Sequence, residues 1–286
     1  MLFRSNWQFG KYRDPDNNTY KVWMDEKMHI PRFEGQAAYF IPAIANDVNG
    51  PCGFLYNPGT ALGPAWKNTF FVAEFVGNPS RSGLHAFKLT PKGASFELGE
   101  HKPILSGVLA TGMDFGPDGA LYVADWIDGW STKNNGRIWK LDVADEASSP
   151  ERIQTKNLLA DDFTKYESSK LGEVLKNADM RVRQKAQFEL ATRGSAGLAV
   201  FEKDIKQTEN QLSRVNAIWG ISQFARKDLK NGGLLLPLLR DNDPEIRAQA
   251  AKWLGDVRYK DAGESLIPLL KEAANPHSSD LCARTG

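Results

Sequence analysis

The sequence predicts a chain of two fold classes: a β-propeller fragment, which is all-β, followed by an α-solenoid of helix pairs. The first indication is the stretch GMDFGPDGALYVADW at residues 112–126, in which two short apolar runs flank a Gly-Pro-Asp-Gly turn. A strand–turn–strand unit of this kind with aromatic ends is typical of the inner part of a propeller blade. The second indication is a set of three similar segments farther along the chain, whose spacing of roughly 30 residues is typical of stacked helix pairs.

The β-rich region extends over residues 1–145 and is predicted to hold two to three blades. Pro117 fixes φ at the first central position of the turn, and Gly119 can adopt the positive φ that closes it. Strands are predicted where short alternating runs lie between turn residues. They cover residues 69–75, 84–89, 95–98, 112–115, 121–126 and 137–141. Because a propeller needs about four or more blades to close, the sequence is interpreted as a fragment that begins inside a propeller.

The helical region is predicted over residues 171–276, after a polar linker at residues 146–170 and before a tail at residues 277–286. Each repeat has an Arg, an Ala and a large apolar residue at the same spacing. The sets are Arg183, Ala186 and Leu190; Arg214, Ala217 and Ile221; and Arg247, Ala250 and Leu254. A small residue fits where two helices cross, so the pattern predicts a HEAT-like array, and the sequence is interpreted as ending inside it. The recurring Arg residues form either a basic ridge or caps and bridges between repeats, and the second interpretation is favoured.

Composition narrows the classes of function. The net charge of +1 provides no field that would attract nucleic acid or anionic lipid. The two cysteines, Cys52 and Cys282, are too few for a disulfide scaffold or a cysteine-based zinc site. No apolar run is long enough for a membrane span, and the first residues, MLFRSNWQFGKYRD, lack the sustained apolar segment of a signal peptide.

The order of these motifs resembles the propeller–HEAT proteins of the glucose/sorbosone dehydrogenase-like group, often described as membrane-bound dehydrogenase domain proteins. The matching stretches are GPCGFLYNPGTAL (50–62), WKNTFFVAEFVGN (66–78), SGLHAFKLTPKGASFEL (82–98), GMDFGPDGALYVADWIDGW (112–130) and RIWKL (137–141). The resemblance implies a six-bladed propeller related to soluble quinoprotein sugar dehydrogenases. Those enzymes use pyrroloquinoline quinone (PQQ) and Ca²⁺, with a His as general base. It also implies a periplasmic or extracellular protein.

This sequence departs from the family pattern at the cofactor. The soluble enzymes have a Lys and two Arg residues where this chain has Glu-Phe-Val at 74–76 and Leu-Ala-Thr-Gly at 109–112. Cations at those positions suit a cofactor with three carboxylates, because charge-assisted pairs to carboxylates are strong. The chain also lacks the Cys-x-x-Cys-His motif with which many family members attach haem.

Four residues are candidates for cofactor binding: Arg81, Asp125, Asp128 and Trp130. Arg81 is the only cation near the replaced basic positions. Asp125 and Asp128 offer oxygen ligands for Ca²⁺ or a sugar hydroxyl, and Trp130 lies in a predicted loop where it could stack on a sugar. Asp125 could instead end its strand by bonding to the loop backbone, and His85 is either a general base or a structural residue of its strand.

Two functions follow as hypotheses. The first is a fragment of an extracytoplasmic quinoprotein-like sugar or alcohol dehydrogenase, inactive as given because cofactor capture needs groups from several blades. PQQ and Ca²⁺ would then act in the parent protein and bind this fragment poorly. The alternative is a non-catalytic propeller–solenoid scaffold that binds carbohydrate or protein, and the missing cofactor cations favour it. The expected partners are a sugar or alcohol substrate for the parent and a protein on the HEAT array, with no nucleic acid and no membrane span.

Overall fold

The computed structural model of the protein describes residues 44–45, 48–92, 95–127 and 134–271. Strands come first and helices follow, as the sequence predicts. Between residues 60 and 140, the helical structure in the described ranges consists of two short 3-10 turns, Pro64–Trp66 and Pro79–Arg81. After residue 175, the described ranges contain no strand. The switch from β to helical structure falls between Leu141 and Pro150.

Two antiparallel sheets form the β-rich region, and in each sheet every strand pairs with the next one along the chain. The first sheet contains β1 (Pro51–Tyr56), β2 (Phe70–Glu74), β3 (Gly83–Lys92) and β4 (Ser95–Ser106). The second contains β5 (Ala110–Phe115), β6 (Leu121–Asp125) and β7 (Arg137–Leu141). All six predicted strands are present, and β4 extends well beyond its predicted end. Strand β1 was not predicted from the sequence, because Pro51 and Gly53 are unfavourable strand residues that obscure its pattern.

The two sheets pack against each other, with β1 and β2 in contact with β5. The core between them includes Phe71, Leu84, Phe115, Leu121 and Val123, all buried. The rings of Phe71 and Phe115 meet edge to face with their centroids 5.4 Å apart, an arrangement that aromatic pairs favour. The described ranges show two sheets and not a closed ring of blades, so the propeller itself stays a prediction.

The Gly-Pro-Asp-Gly turn between β5 and β6 has the predicted geometry. Gly119 has a φ of 77°, and its N–H donates to the Gly116 carbonyl at 2.9 Å. The Asp118 carboxylate accepts hydrogen bonds from the Ala120 N–H at 3.2 Å and the Tyr122 hydroxyl at 3.1 Å. Asp118 is therefore a structural residue of the turn, which is the role of short acidic side chains in such turns.

The helical region consists of helix pairs joined by short loops. The α-helices are α1 (Pro150–Ala160), α2 (Ser168–Val174), α3 (Met180–Thr192), α4 (Gly194–Asp204), α5 (Gln211–Ala225), α6 (Pro244–Asp256) and α7 (Gly263–Leu266). The segments Leu229–Arg240 and Ile267–Lys271 are 3-10 helices. Pro237 lies inside the first of them, where it removes a backbone donor and opposes regular α-helix. None of the described helices is long and apolar enough to cross a membrane.

The long helix that begins each of the three repeats starts at a capping side chain. Asp179, Asn210 and Asp243 precede α3, α5 and α6, and each accepts a hydrogen bond of 2.9 Å from a backbone N–H in the first turn. Such caps satisfy donors that the helix itself leaves without a partner. The repeat pattern of the sequence thus includes its own helix start signals.

Small residues of the repeat lie where helices cross. Ala186, Ala217 and Ala250 are completely buried. Gly220 lies so close to the ring of Phe201 that an added Cβ would come within 2.3 Å of it. One continuous apolar core runs from the first to the last of these helix pairs, as expected for stacked repeats.

The predicted linker at residues 146–170 is more ordered than a polar connector. Helix α1 lies in its middle, and its residues Arg152 and Thr155 are buried. Pro150 at the first position favours a helix start. The segment contains too few apolar residues to show a helical period, so the helix was not predicted.

Candidate functional site

Two of the sequence-predicted site residues, Arg81 and Asp125, lie at one end of the two sheets, here called the loop end, where β1 begins and β2 and β6 end. Two contacts show that the loop ends of both sheets lie together. The thiol of Cys52 donates to the Ala110 carbonyl at 2.7 Å, and the rings of Phe75 and Trp126 stack with centroids 5.9 Å apart. The opposite end, here called the turn end, carries the β1–β2 and β5–β6 loops.

Arg81 lies at the loop end, in the β2–β3 connection. It closes the short 3-10 turn Pro79–Arg81, which the Asn78 side chain caps by accepting the Ser80 N–H at 3.0 Å. The Arg81 side chain is exposed and forms no ion pair or hydrogen bond with the residues that the structure describes. Asp128 and Trp130 lie outside the described residues.

Asp125 ends β6 and is almost fully buried, with 3% exposure. Its Oδ1 accepts the backbone N–H groups of Leu109 at 3.0 Å and Ile127 at 2.9 Å. Its Oδ2 accepts Arg137 Nε and Trp139 Nε1, both at 2.9 Å. Burial by itself raises the pKa of the Asp125 carboxyl, but these hydrogen bonds outweigh it and the pKa lies below its usual value. The protein's own donors thus engage both carboxylate oxygens, which matches the structural alternative for Asp125.

The structure shows a row of polar side chains on the first sheet that was not predicted from the sequence. Glu74, His85 and His101 come from β2, β3 and β4, on the face opposite the core. His85 Nδ1 lies 3.1 Å from His101 Nε2, and His85 Nε2 lies 3.2 Å from Glu74 Oε2. The backbone N–H of Asn49 donates to Glu74 Oε1 at 3.0 Å. This bond lowers the pKa of the Glu74 carboxyl, partial burial opposes the shift, and His85 adds to it.

This row gives His85 the hydrogen-bonding partner that a general base needs. No three His, Cys, Asp or Glu side chains in the described part of the chain are placed to hold a metal ion. The residues of the row lie 11 and 16 positions apart in the sequence. They meet only because strand register aligns them, so no local motif could have revealed the row.

At the turn end, a buried polar network around Asp179 joins the sheets to helix α3. Asp179 is 0% exposed and accepts the Thr60 hydroxyl at 2.6 Å and the Arg181 Nε and Nη2 groups at 3.0 and 2.9 Å. Arg181 Nη1 in turn donates to the carbonyls of Phe115 and Gly116 at 2.9 Å. Because a buried charge that loses its partner is strongly destabilising, this network fixes the sheets to the first repeat.

Arg152 of α1 is a second anchor between the regions, with 2% exposure. Its Nε and Nη2 donate to the Asp118 carbonyl at 2.9 and 2.6 Å, and its Nη1 and Nη2 bind both oxygens of Asp142 at 2.7 and 3.0 Å. An added Cβ at Gly119 would come within 2.7 Å of Arg152 Nε. Gly119 therefore permits both the positive φ of the turn and the close approach of the guanidinium.

The recurring Arg residues of the array cap and bridge repeats, as favoured from the sequence. Arg214 is buried, donates to the Ile205 carbonyl at 3.2 and 3.1 Å, and pairs with both carboxylate oxygens of Asp241 in the next loop. Arg183 and Arg247 donate to carbonyls in the loops that precede their own helices. These hydrogen bonds engage the three guanidinium groups within the array, so the three residues do not form a basic ridge.

The array also has a face with two consecutive grooves, here called the grooved face. It is formed by α2, α4 and the segment Leu229–Arg240. The groove between α2 and α4 has a volume of about 460 Å³, and that between α4 and Leu229–Arg240 about 530 Å³. The first is lined by residues that include Lys170, Ala199, Val200 and Lys203, and the second by residues that include Glu202, Lys206, Leu234, Pro237 and Arg240. Helix α4 forms a wall of both grooves.

Residues 201–279 match the family model of HEAT repeats. The matched range begins near the end of α4 and includes α5, Leu229–Arg240 and α6, so the HEAT character of this part of the array is confirmed. No curated protein matches the chain.

Proposed function

We propose that the protein is an interaction scaffold whose HEAT repeats bind a protein partner on the grooved face. The observation that carries the proposal is the repetition of a groove on the same side of the array, once on each side of α4. Stacked helix pairs present extended surfaces of this kind to their partners. The match to HEAT repeats supports the proposal, because such repeats often mediate protein interactions.

We also propose that the two sheets are adjacent blades of a β-propeller in the parent protein. The support is a four-stranded sheet in sequential order, followed by a second sheet packed against it. Blades of a propeller have this strand order. In this arrangement the turn end of the blades rests on the array, while the loop end points away from it.

The second candidate function for the parent is a quinoprotein-like sugar or alcohol dehydrogenase. It is favoured by the motif resemblance together with the sequential order of the strands in each sheet. The described residues do not fit PQQ. Both oxygens of Asp125 are occupied by protein donors, and an ionised Glu74 with a lowered pKa stands where the resemblance calls for a cation. A carboxylate there repels a tricarboxylate, and among the described residues Arg81 is the candidate cation that remains for the cofactor. We therefore assign this chain the scaffold function.

The scaffold proposal is tested with a photo-crosslinking amino acid placed at Ala199, which is exposed in the first groove. The matched control places it at Leu212, which is 43% exposed on α5. A partner captured only from Ala199 in native cells is then purified, and its affinity is measured by titration calorimetry. We expect Ala199→Trp, which fills the groove, to weaken binding at least about tenfold, and Leu212→Trp to leave it unchanged. Equal capture at both positions, or binding that survives Ala199→Trp, contradicts the proposal.

The dehydrogenase alternative is tested by titrating the purified chain with PQQ and Ca²⁺ in a dye-linked sugar oxidation assay. We expect no turnover. Saturable cofactor binding with turnover that is lost on Arg81→Ala would instead favour the enzyme. An extracytoplasmic location of the parent stays part of this candidate, and fractionation of native cells tests it.

A further inference from the structure

The grooved face carries positive charge that other residues of the array do not balance. Lys170 and Lys203 line the first groove, and Lys206 and Arg240 line the second. All four are exposed, and none forms an ion pair within the described ranges. The whole chain has a net charge of only +1, so the excess on this face is local.

Most of the acidic groups near the grooves are already engaged. Glu173 pairs with Lys176 at 2.9 Å, and Asp241 pairs with Arg214. Asp204 is buried and accepts a hydrogen bond from Ser213. Glu202 and the buried Asp204 are then the two acids lining the described grooves that form no ion pair, against four cations.

Each groove also has apolar side chains in its lining. Val200 lies in the first groove, and Leu234 and Pro237 lie in the second. The grooves flank one helix, so their centres are separated by about one interhelical distance, roughly 8–10 Å. A chain in the polyproline II conformation advances about 9 Å in three residues and returns side chains to the same side.

We infer that the grooved face binds an extended, acidic segment of a partner protein, with an apolar side chain at every third position and Asp or Glu residues between them. This inference rests on the proposed scaffold function and specifies its partner. Successive apolar side chains enter the two grooves, while the carboxylates meet Lys170, Lys203, Lys206 and Arg240. Complementary charges of this kind accelerate association and select the partner.

The experiment selects a random peptide library displayed on phage against the purified chain, followed by anisotropy measurements on labelled peptides from the selection. The charge variant is Lys203→Glu with Lys206→Glu. The matched control is Lys156→Glu with Lys260→Glu, an equal charge change at two exposed lysines that line neither groove. Ala199→Trp blocks the first groove, and circular dichroism verifies that each variant is folded.

We expect the selected peptides to be rich in Asp and Glu with apolar residues at intervals of three. Their affinity should fall about tenfold or more in the charge variant and in Ala199→Trp, and stay within about twofold in the control. Peptides that Ala199→Trp blocks, but that carry no acidic excess or ignore the charge variant, overturn this inference and leave the scaffold function intact. If Ala199→Trp blocks no selected peptide, both fail. Equal losses in the charge variant and the control also overturn the inference, because binding would then depend only on total charge.

Discussion

The β-rich region and the helical array bury their apolar side chains in different ways. In the array, each helix pair covers the next, and a single core continues through all of them. In the β-rich region, the core fills only the space between the two sheets. On its other face, the first sheet displays an aromatic stack that includes Phe54, Tyr56, Phe70 and Phe87, and Phe54 is 63% exposed.

The difference shows how far each region depends on neighbours distant in sequence. A solenoid repeat meets its partners within one repeat length, so its stability is nearly a sum of local terms. A sheet that packs by its faces needs a second sheet on each apolar face. The exposed aromatic stack is therefore the surface that a preceding blade would cover in the proposed propeller. The exposed β7, where Ile138 is 72% exposed, is the edge that such a sheet leaves accessible to other strands.

The largest expected loss of stability comes from breaking the polar network that joins the two regions. Asp179→Ala removes the carboxylate that binds Thr60 and leaves Arg181 without its buried partner, so we expect the free energy of unfolding to fall by about 3–5 kcal/mol. Asp243→Ala is the matched control, because Asp243 caps α6 in the same way but makes no contact of this kind with the sheets. Its cost should be about 1 kcal/mol. Urea denaturation followed by circular dichroism measures both, and equal costs would show that the network does not join the regions.

The next largest loss of stability is expected at Asp125, and measuring it tests whether the residue has a structural role. Asp125→Asn replaces one accepting carboxylate oxygen with an amide NH2 group, which cannot accept from the N–H donors that face it, and we expect a loss of about 2–3 kcal/mol. The lowered pKa of Asp125 means that its contribution is present above the ordinary value of 3.8 and is lost as pH falls through the folded-state pKa. The difference between wild type and variant should therefore shrink on acidification. Asp118→Asn, at a more exposed ion pair with Lys140, should cost less than about 1 kcal/mol, and a pH-independent difference for Asp125→Asn would refute this account.

A substitution within the array tests the close helix crossing. Gly220→Ala places a methyl group against the ring of Phe201, and overpacking of this kind costs about 1–3 kcal/mol. Gly263→Ala is the control, because nothing lies within 4 Å of its added Cβ. Thermal unfolding compares the two variants. A neutral Gly220→Ala would mean that the crossing adjusts freely.

The smallest effect is a gain in stability. Burial raises the pKa of the Asp204 carboxyl, and the hydrogen bond from Ser213 only partly offsets it. A raised pKa means that the contribution of Asp204 is fully present below 3.8 and is lost as pH rises through the folded-state pKa. Asp204→Asn keeps an acceptor for Ser213 and removes the charge, so we expect a gain of about 0.5–1 kcal/mol at neutral pH. Urea midpoints at neutral pH and near pH 4 measure it, and a gain that persists unchanged in acid would contradict the cause given.

The sequence by itself determined the features that depend on a few neighbouring residues. The turn at residues 116–119 follows from Pro117 and from the positive φ that Gly119 tolerates. The helix starts follow from Asp179, Asn210 and Asp243, whose side chains cap the backbone within three positions. Local backbone chemistry and the helical period encode these features directly, so they can be predicted before any tertiary contact is known.

Only the tertiary structure decided which polar groups meet across the chain. Asp125 offered two alternatives from the sequence, and Arg137 and Trp139 on β7 supply the donors that favour the structural one. Thr60 reaches Asp179 across 119 positions, because sheet and helix pack together there. Strand register and the docking of the two regions fix such contacts, and both depend on the summed burial of many residues rather than on any short motif.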